Sequence, residues 1–202
     1  MTLEFNPELH QYKADGLVIP SVTQVLKAVG LVNFDFVPAD VLQAAADKGT
    51  KVHQTTELFD KGVLDEERLH PILQNYLNSW KKFRTELQFD PIEIESLKVH
   101  ELYRYAGTLD RVGTINKNKK VLIDIKTGVK DKSHSVQTAA YKLLYDQKLS
   151  PKEKIKERFI VYLSEDGYKI ELNEDQNDER VFLAALTLFN YTKKERSNGK
   201  AN

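Results

Sequence analysis

The chain has 202 residues, enough for one domain with a sizeable buried core and too few for two full ones. Its 30 basic residues balance 30 acidic ones, which excludes the bulk cationic surface of a nonspecific nucleic-acid coat and makes any basic surface local. With no cysteine, disulfides, thiolate metal sites, iron–sulfur clusters and cysteine nucleophiles are excluded together.

The first residues, MTLEFNPELHQY, have neither the apolar run of a secretory signal nor an arginine-rich transit pattern. No stretch approaches the roughly 18 apolar residues of a membrane span, so the sequence reads as soluble and cytoplasmic, with no targeting signal. Residues 3–20 read as a hairpin turning at Asp15-Gly16. Ser21 then caps a helix whose stripe of Val22, Val25, Leu26 and Val29 ends at Gly30.

A second helix is predicted from Ala39 to Asp60, with Gly49, His53 and Glu57 on one face. Glycine there permits close approach, and His53 can lean over whatever the helix packs against. A lone helical histidine is more often a surface or core residue than a ligand, and Glu57 stays open as a further ligand or a partner of one, with a solvated glutamate as the default reading. From Asp65 to Leu87 the periodicity through Leu69, Ile72, Leu73, Tyr76, Leu77, Trp80 and Phe83 predicts a core helix. Lys81, Lys82 and Arg84 complement its dipole and are secondary candidates for a phosphate backbone.

Residues 91–100 alternate as a strand, with Ile92, Ile94 and Leu97 inward and Glu93 and Glu95 opposite. Glu95 and Glu101 stay open as further carboxylates. Tyr103 to Gly128 then reads as a hairpin turning at Asn116, Lys117 and Asn118. A turn centred on Lys117 sets Asp110 opposite Asp124 and Thr108 opposite Lys126. Opposed Cβ atoms lie about 5 Å apart, so two acids so placed repel unless something positive sits between them. Leu122, Asp124 and Lys126 share one face of their strand, and Val121, Ile123 and Ile125 the other. Charges that interrupt the apolar run VLIDI point to a buried central strand, where unpaired charge is costly. Two carboxylates and a lysine so arranged suit metal-assisted phosphodiester cleavage. The oxygens hold a hard cation that polarises the phosphate and acidifies a water, and the ammonium stabilises developing charge or orients that water. A surface hairpin with ordinary solvated charges is the competing reading of the spacing.

The basic loop that follows offers Lys130 and His134 as candidate phosphate contacts. It leads into a helix from Ser135 to Gln147, capped by Ser133 or Ser135 and packed through Val136, Ala139, Ala140, Leu143 and Leu144. Gln137 and Tyr141, one turn apart on a neighbouring face, can orient a phosphate, a water or the lysine. Strands over 157–163 and 168–172 flank a Glu165-Asp166-Gly167 turn. A last helix over 176–195 is predicted to bury Val181, Phe182, Ala185, Leu186, Leu188 and Phe189, and SNGKAN reads as a frayed tail.

Four of these features recur in a fixed order: Gly49-x-x-x-His53, Gly107-x-x-Asp110, Asp124-Ile125-Lys126-Thr127-Gly128 and Gln137-x-x-x-Tyr141. Together they resemble the RecB-like branch of the PD-(D/E)XK nucleases. The string His100-Glu101-x-x-x-Tyr105-x-Gly107-x-Leu109-Asp110, with Pro20-Ser21-Val22-Thr23-x-Val25-Leu26 before it, looks like the mitochondrial genome maintenance exonucleases and their phage-encoded relatives. The resemblance implies an α/β, restriction-endonuclease-like core: a mixed β-sheet with a central metal-binding hairpin flanked by helices. Residues 1–202 would form one domain, with 1–90 mainly helical and carrying the histidine motif, and 91–195 supplying the sheet and C-terminal helices.

By the same resemblance His53, Asp110, Asp124 and the Ile125 carbonyl are metal ligands, Lys126 is catalytic, and Gln137 and Tyr141 complete the site. The ion would be Mg2+ or Mn2+, the histidine slightly favouring manganese. The substrate would be linear DNA with free ends, single- or double-stranded, cut exonucleolytically during recombination or repair in a bacterial or phage-infected cell. The alternative is a catalytically silent nucleic-acid-binding or recombination accessory protein, against which the intact Asp110, Asp124 and Lys126 count. A sugar or nucleotide hydrolase with paired carboxylates is weakened by the lysine two residues after Asp124. The sequence departs from the family pattern in having no proline before Asp110, and its lack of cysteine sets it apart from the iron–sulfur members.

Overall fold

Three short strands, β1 (Leu3–Asn6), β2 (Gln11–Ala14) and β3 (Leu17–Ile19), form an antiparallel sheet at the start of the chain. The computed structural model describes residues 2–6 and 9–198. Asp15 and Gly16 between β2 and β3 both have positive φ, 51° and 76°, the conformation that a two-residue hairpin turn demands. Helix α1 (Val22–Ala28) begins in a capping box: the Ser21 hydroxyl accepts the Gln24 N–H, and the Gln24 side chain accepts the Ser21 N–H.

Helix α2 (Ala39–Asp60) runs over the residues predicted. Helix α3 (Pro71–Glu86) starts later than its apolar periodicity suggests. Pro71 has no N–H to donate and takes the first helical position, while Glu66–Arg68 form a separate single turn. Next come β4 (Phe89–His100), β5 (Tyr105–Ile115), β6 (Lys119–Lys126), α4 (Ser133–Asp146), β7 (Glu157–Ser164), β8 (Gly167–Asn173) and α5 (Asn177–Asn198). Neither Ser133 nor Ser135 caps α4; Asp131 Oδ1 instead accepts the Ser133 N–H at 2.8 Å. The rest of the predicted tail, residues 199–202, lies outside the described residues.

The second sheet has the order β4-β5-β6-β7-β8. Only β6 and β7 are parallel, joined through α4 as a crossover. The hairpin register is the one centred on Lys117, with Arg111 opposite Ile123 and Ile115 opposite Lys119. One face packs under α1, α4 and α5 through Leu26, Leu109, Val112, Leu122, Leu144 and Phe182. The other packs under α2 and α3 through Val52, Trp80, Phe83, Ile123, Ile125 and Val161. Strand β6 is thus covered on both sides, which is why it reads as a nearly unbroken apolar run. The N-terminal sheet joins this body at β5 through a Tyr12–Thr108 hydroxyl hydrogen bond of 2.9 Å and a parallel bridge between Ser21 and Ala106.

Strand β4 departs from the predicted alternation. Ile92 and Leu97, expected inward, are 55% and 42% exposed. The register shifts between Pro91 and Glu93, and Glu95 adopts a left-handed φ of 45°. An extra residue in a ladder moves every later side chain to the other face. On α5, Phe182, Ala185 and Leu186 are buried, whereas Val181 and Leu188 face outward. Among the described residues no helix is long and apolar enough to cross a membrane.

Candidate active site

The β5–β6 ladder stops at Arg111–Ile123, one pair short of Asp110 and Asp124. At that point the Asp110 carboxylate accepts the Ile125 N–H at 2.7 Å, so a side chain takes the place of a main-chain acceptor. Leu109 and Val112 pack in the same layer, so alternation skips a step between them. Asp110 and Arg111 both turn towards α2 as a result. His53 on α2 meets them: its Nε2 lies 3.0 Å from the Ile125 carbonyl oxygen, and its Nδ1 lies 3.7 Å from Asp110 Oδ2 and 3.6 Å from Glu95 Oε1.

Glu95 is the residue that sequence reasoning left undecided. Its neighbours pair as Ile94–Arg111 and Ser96–Leu109, which sets Glu95 across from Asp110. Its left-handed backbone turns a carboxylate, predicted to face away, into the site. His53, Glu95 and Asp110 bring one ligand atom each within 4.8 Å of one another. The other open acids lie elsewhere: Glu57 pairs with Lys61 at 2.5 Å, and Glu101 pairs with Lys148. Gly49 is less constrained than its motif suggests, since a Cβ there would make only an ordinary 3.5 Å contact with Thr127 Oγ1.

Arg111, completely buried, holds this arrangement to α2. It donates to Asp60 Oδ2 at 2.6 Å, Thr56 Oγ1 at 3.1 Å, Glu95 Oε1 at 2.8 Å and the Asp110 carbonyl at 2.6 Å. Asp60 also takes hydrogen bonds from Trp80 and Arg84, so Arg84 serves the fold, as does Lys81 in its 2.5 Å pair with Glu66.

Asp124 is 1% exposed, and its Oδ1 has no hydrogen-bond partner. Lys126 Nζ lies 2.8 Å from Asp124 Oδ2, an ion pair that serves this oxygen alone. That ammonium donates to Gln137 Oε1 at 3.2 Å, and Gln137 Nε2 donates to the Tyr141 hydroxyl at 2.9 Å. Tyr141 reaches this position because Gly107 has no Cβ; one would sit 2.7 Å from the tyrosine ring. His134 Nδ1 lies 3.0 Å from the Tyr162 hydroxyl, and His134 lines the same cavity as Lys126 and Gln137. Lys130 is paired with Glu171 at 2.9 Å and does not line that cavity.

The charges follow from this packing. Burial raises both Asp110 and Asp124 above the ordinary carboxylate range. For Lys126 burial works against the ammonium, but Asp124 and Asp110 outweigh it and raise the pKa, so the lysine is a cation at neutral pH. Burial also opposes the charged form of His53, yet Asp110 and Glu95 prevail and push it up to about 9. His134 is lowered by its own burial and then by Lys126.

A sealed carboxylate with one oxygen unpartnered, a second carboxylate, a main-chain carbonyl and an imidazole make a donor set suited to a divalent cation. The 3.0 Å between His53 Nε2 and the Ile125 oxygen also matches neighbouring positions around an octahedral ion with bonds of about 2.1 Å. A family model for the PD-(D/E)XK nuclease superfamily matches residues 37–195. The chain belongs to that superfamily. As a PD-(D/E)XK nuclease it is an enzyme that hydrolyses nucleic acid, and nucleases of this superfamily use divalent metals. Its five-stranded mixed sheet between helical layers is the restriction-endonuclease-like fold.

Among solved structures, a candidate exonuclease from Eubacterium rectale shares the fold with a TM-score of 0.51 at 13% identity. That match covers 75% of this chain and 68% of the other. The crystal structure of SSO0001 matches with a TM-score of 0.36 at 20% identity, over 55% of this chain and 52% of that one, too loosely to carry an argument. No curated protein matches the chain.

Proposed function

We propose that this PD-(D/E)XK nuclease is a divalent-metal-dependent deoxyribonuclease of the RecB-like branch that hydrolyses linear DNA from its free ends. The observation that carries the reading is Asp124: a fully buried carboxylate with one oxygen lacking any partner, one strand from Asp110 and ion-paired through the other oxygen with a buried lysine. Leaving such a group unsatisfied is costly in a structural element and is accounted for by a cation. Asp110, Asp124, His53 Nε2 and the Ile125 carbonyl would hold Mg2+ or Mn2+, with Glu95 beside them.

Bound there, the ion supplies polarisation of a phosphate oxygen and a lowered pKa for an attacking water. In the metal-free protein Asp124 and Asp110 hold Lys126 protonated, and its ammonium would lie where negative charge develops on the phosphate, in the role of an electrostatic stabiliser. Gln137, held by Tyr141, fixes the direction of that ammonium. His134, at the cavity wall, is placed to contact the strand. The preference for ends rests on the resemblance around His100 to Asp110. The same resemblance supports a role in DNA recombination or repair, in the cytoplasm of a bacterial or phage-infected cell.

The test is degradation of end-labelled linear single- and double-stranded DNA beside closed circles, in EDTA, Mg2+ or Mn2+, with Lys126→Ala as control. Metal-dependent loss of linear DNA only, abolished in the variant, is the expected result. Cleavage of circles would make the protein an endonuclease, and binding without cleavage would favour the accessory reading.

A further inference from the structure

The connection between α1 and α2 displays apolar side chains that a core would ordinarily cover. Phe34 is 39% exposed, and Phe36, on the same turn, is 82% exposed. The turn is built, not loose: Asn33 Oδ1 accepts the Asp35 N–H at 2.8 Å, and the Phe34 carbonyl accepts the Val37 N–H at 2.8 Å. Phe34 lines a cavity of about 770 Å³, to which the connection and α2 also contribute Val32 and Leu42 and to which β6 and α4 contribute Lys126, His134 and Gln137. That volume falls within the roughly 300–1,000 Å³ of pockets that enclose small organic groups. Lys27 also lines it, and Asp35 is the one acid among the lining residues.

A phosphate at Lys126 therefore has an aromatic ring, an aliphatic wall and a second ammonium in the same cavity. Those are the parts from which single-strand sites are made: cations for the backbone and an aromatic face for a base. We propose that the cavity is a nucleobase subsite, in which the ring of Phe34 stacks on an unpaired base next to the scissile phosphate. The subsite rests on the nuclease reading and deepens it. It takes a base only after that base has left its own stack, so a single-stranded or frayed end binds better than a blunt duplex.

The experiment uses a single-stranded oligonucleotide carrying 2-aminopurine at each of the last three positions in turn, mixed with the whole protein in EDTA so that nothing is cut. Wild-type protein should quench the probe at one position. Phe34→Ala should lose that quenching and bind roughly 5- to 100-fold more weakly, and Phe34→Trp should restore both. Removing the base at that position should weaken wild-type binding by a similar factor and add little to Phe34→Ala.

The subsite is overturned if Phe34→Ala keeps its affinity and quenching. It is equally overturned if Phe34→Ala dissolves a concentration-dependent dimer while DNA binding is untouched, since the ring would then serve a second copy of the chain. If the wild type neither binds nor cuts nucleic acid, the nuclease reading falls with it; if it cuts and only the Phe34 effect is missing, the nuclease reading stands.

Discussion

At the scale of single residues, the site is a set of groups that each prefer a different company from the one the fold gives them. Asp124 has no partner for Oδ1 and only Lys126 for Oδ2, the repelling charge of Asp110 adds to its burial, and burial raises both acids. Replacing Asp124 by alanine removes that repulsion but also removes the counter-charge of Lys126, which keeps Gln137. The two effects oppose each other, so Asp124→Ala should melt within about 5 °C of the wild type in EDTA while losing metal-dependent cleavage. A variant that unfolds outright would assign the carboxylate to structure. His53 supplies a prediction of pH dependence. Its folded pKa of about 9 lies above the ordinary 6.5, so the stability it contributes is complete below pH 6.5 and is lost as the pH climbs through about 9. Thermal melts of the metal-free protein should fall by several degrees across that window, and His53→Gln should flatten the fall. The imidazolium stands in for a cation between Asp110 and Glu95, so metal binding at neutral pH should release a proton, which unbuffered titration can count.

At the scale of elements, α2 and the sheet are tied together by one buried guanidinium. Arg111 bonds Thr56 and Asp60 on α2, Glu95 on β4 and the Asp110 carbonyl on its own strand. Arg111→Met would leave Asp60 and Glu95 short of a partner at a cost of about 3–5 kcal/mol, which for a chain of this length lowers the melting temperature by roughly 6–20 °C. His53 rides on the same helix, so metal affinity should fall with stability, and calorimetric titration of the variant below its melting point would show both. The elements also show what the sequence made legible. Asn116 to Asn118 are turn-formers between two patterned arms, so the hairpin register from Arg111–Ile123 to Ile115–Lys119 follows from local chemistry, whereas the ladder ends before the expected Asp110–Asp124 pair. Ser21 marks the start of α1 for the same reason. Glu95 was not legible, because its placement depends on a register shift and a left-handed backbone at a non-glycine residue, neither of which has a sequence signal here. The exposed Phe34 was not legible either, since a phenylalanine in a connection reads the same whether a core covers it or not.

At the scale of the whole molecule, the site is a seam between layers. His53 comes from the α2 layer, Asp110 and Asp124 from the sheet, and Gln137 and Tyr141 from the α4 layer on the other face, where Leu122 and Tyr141 belong to one core cluster and Ile123 and Val52 to another. A cation held by His53, Asp110, Asp124 and the Ile125 carbonyl would link α2 to both central strands, and it would bind the folded chain alone, because the unfolded chain does not bring those groups together. Ligand linkage then fixes the size of the effect: Mn2+ at about 100 times its dissociation constant should add about 2.7 kcal/mol, or roughly 5–11 °C in melting temperature for a chain of this length. The shift should vanish in Asp124→Ala and persist in Phe34→Ala, since the cavity that Phe34 lines is lined by none of the four proposed ligands. If the shift survives in Asp124→Ala, the ion sits on another part of the surface. If the wild type shows no shift at all, the orphaned carboxylate is a structural cost that the fold carries without a cation.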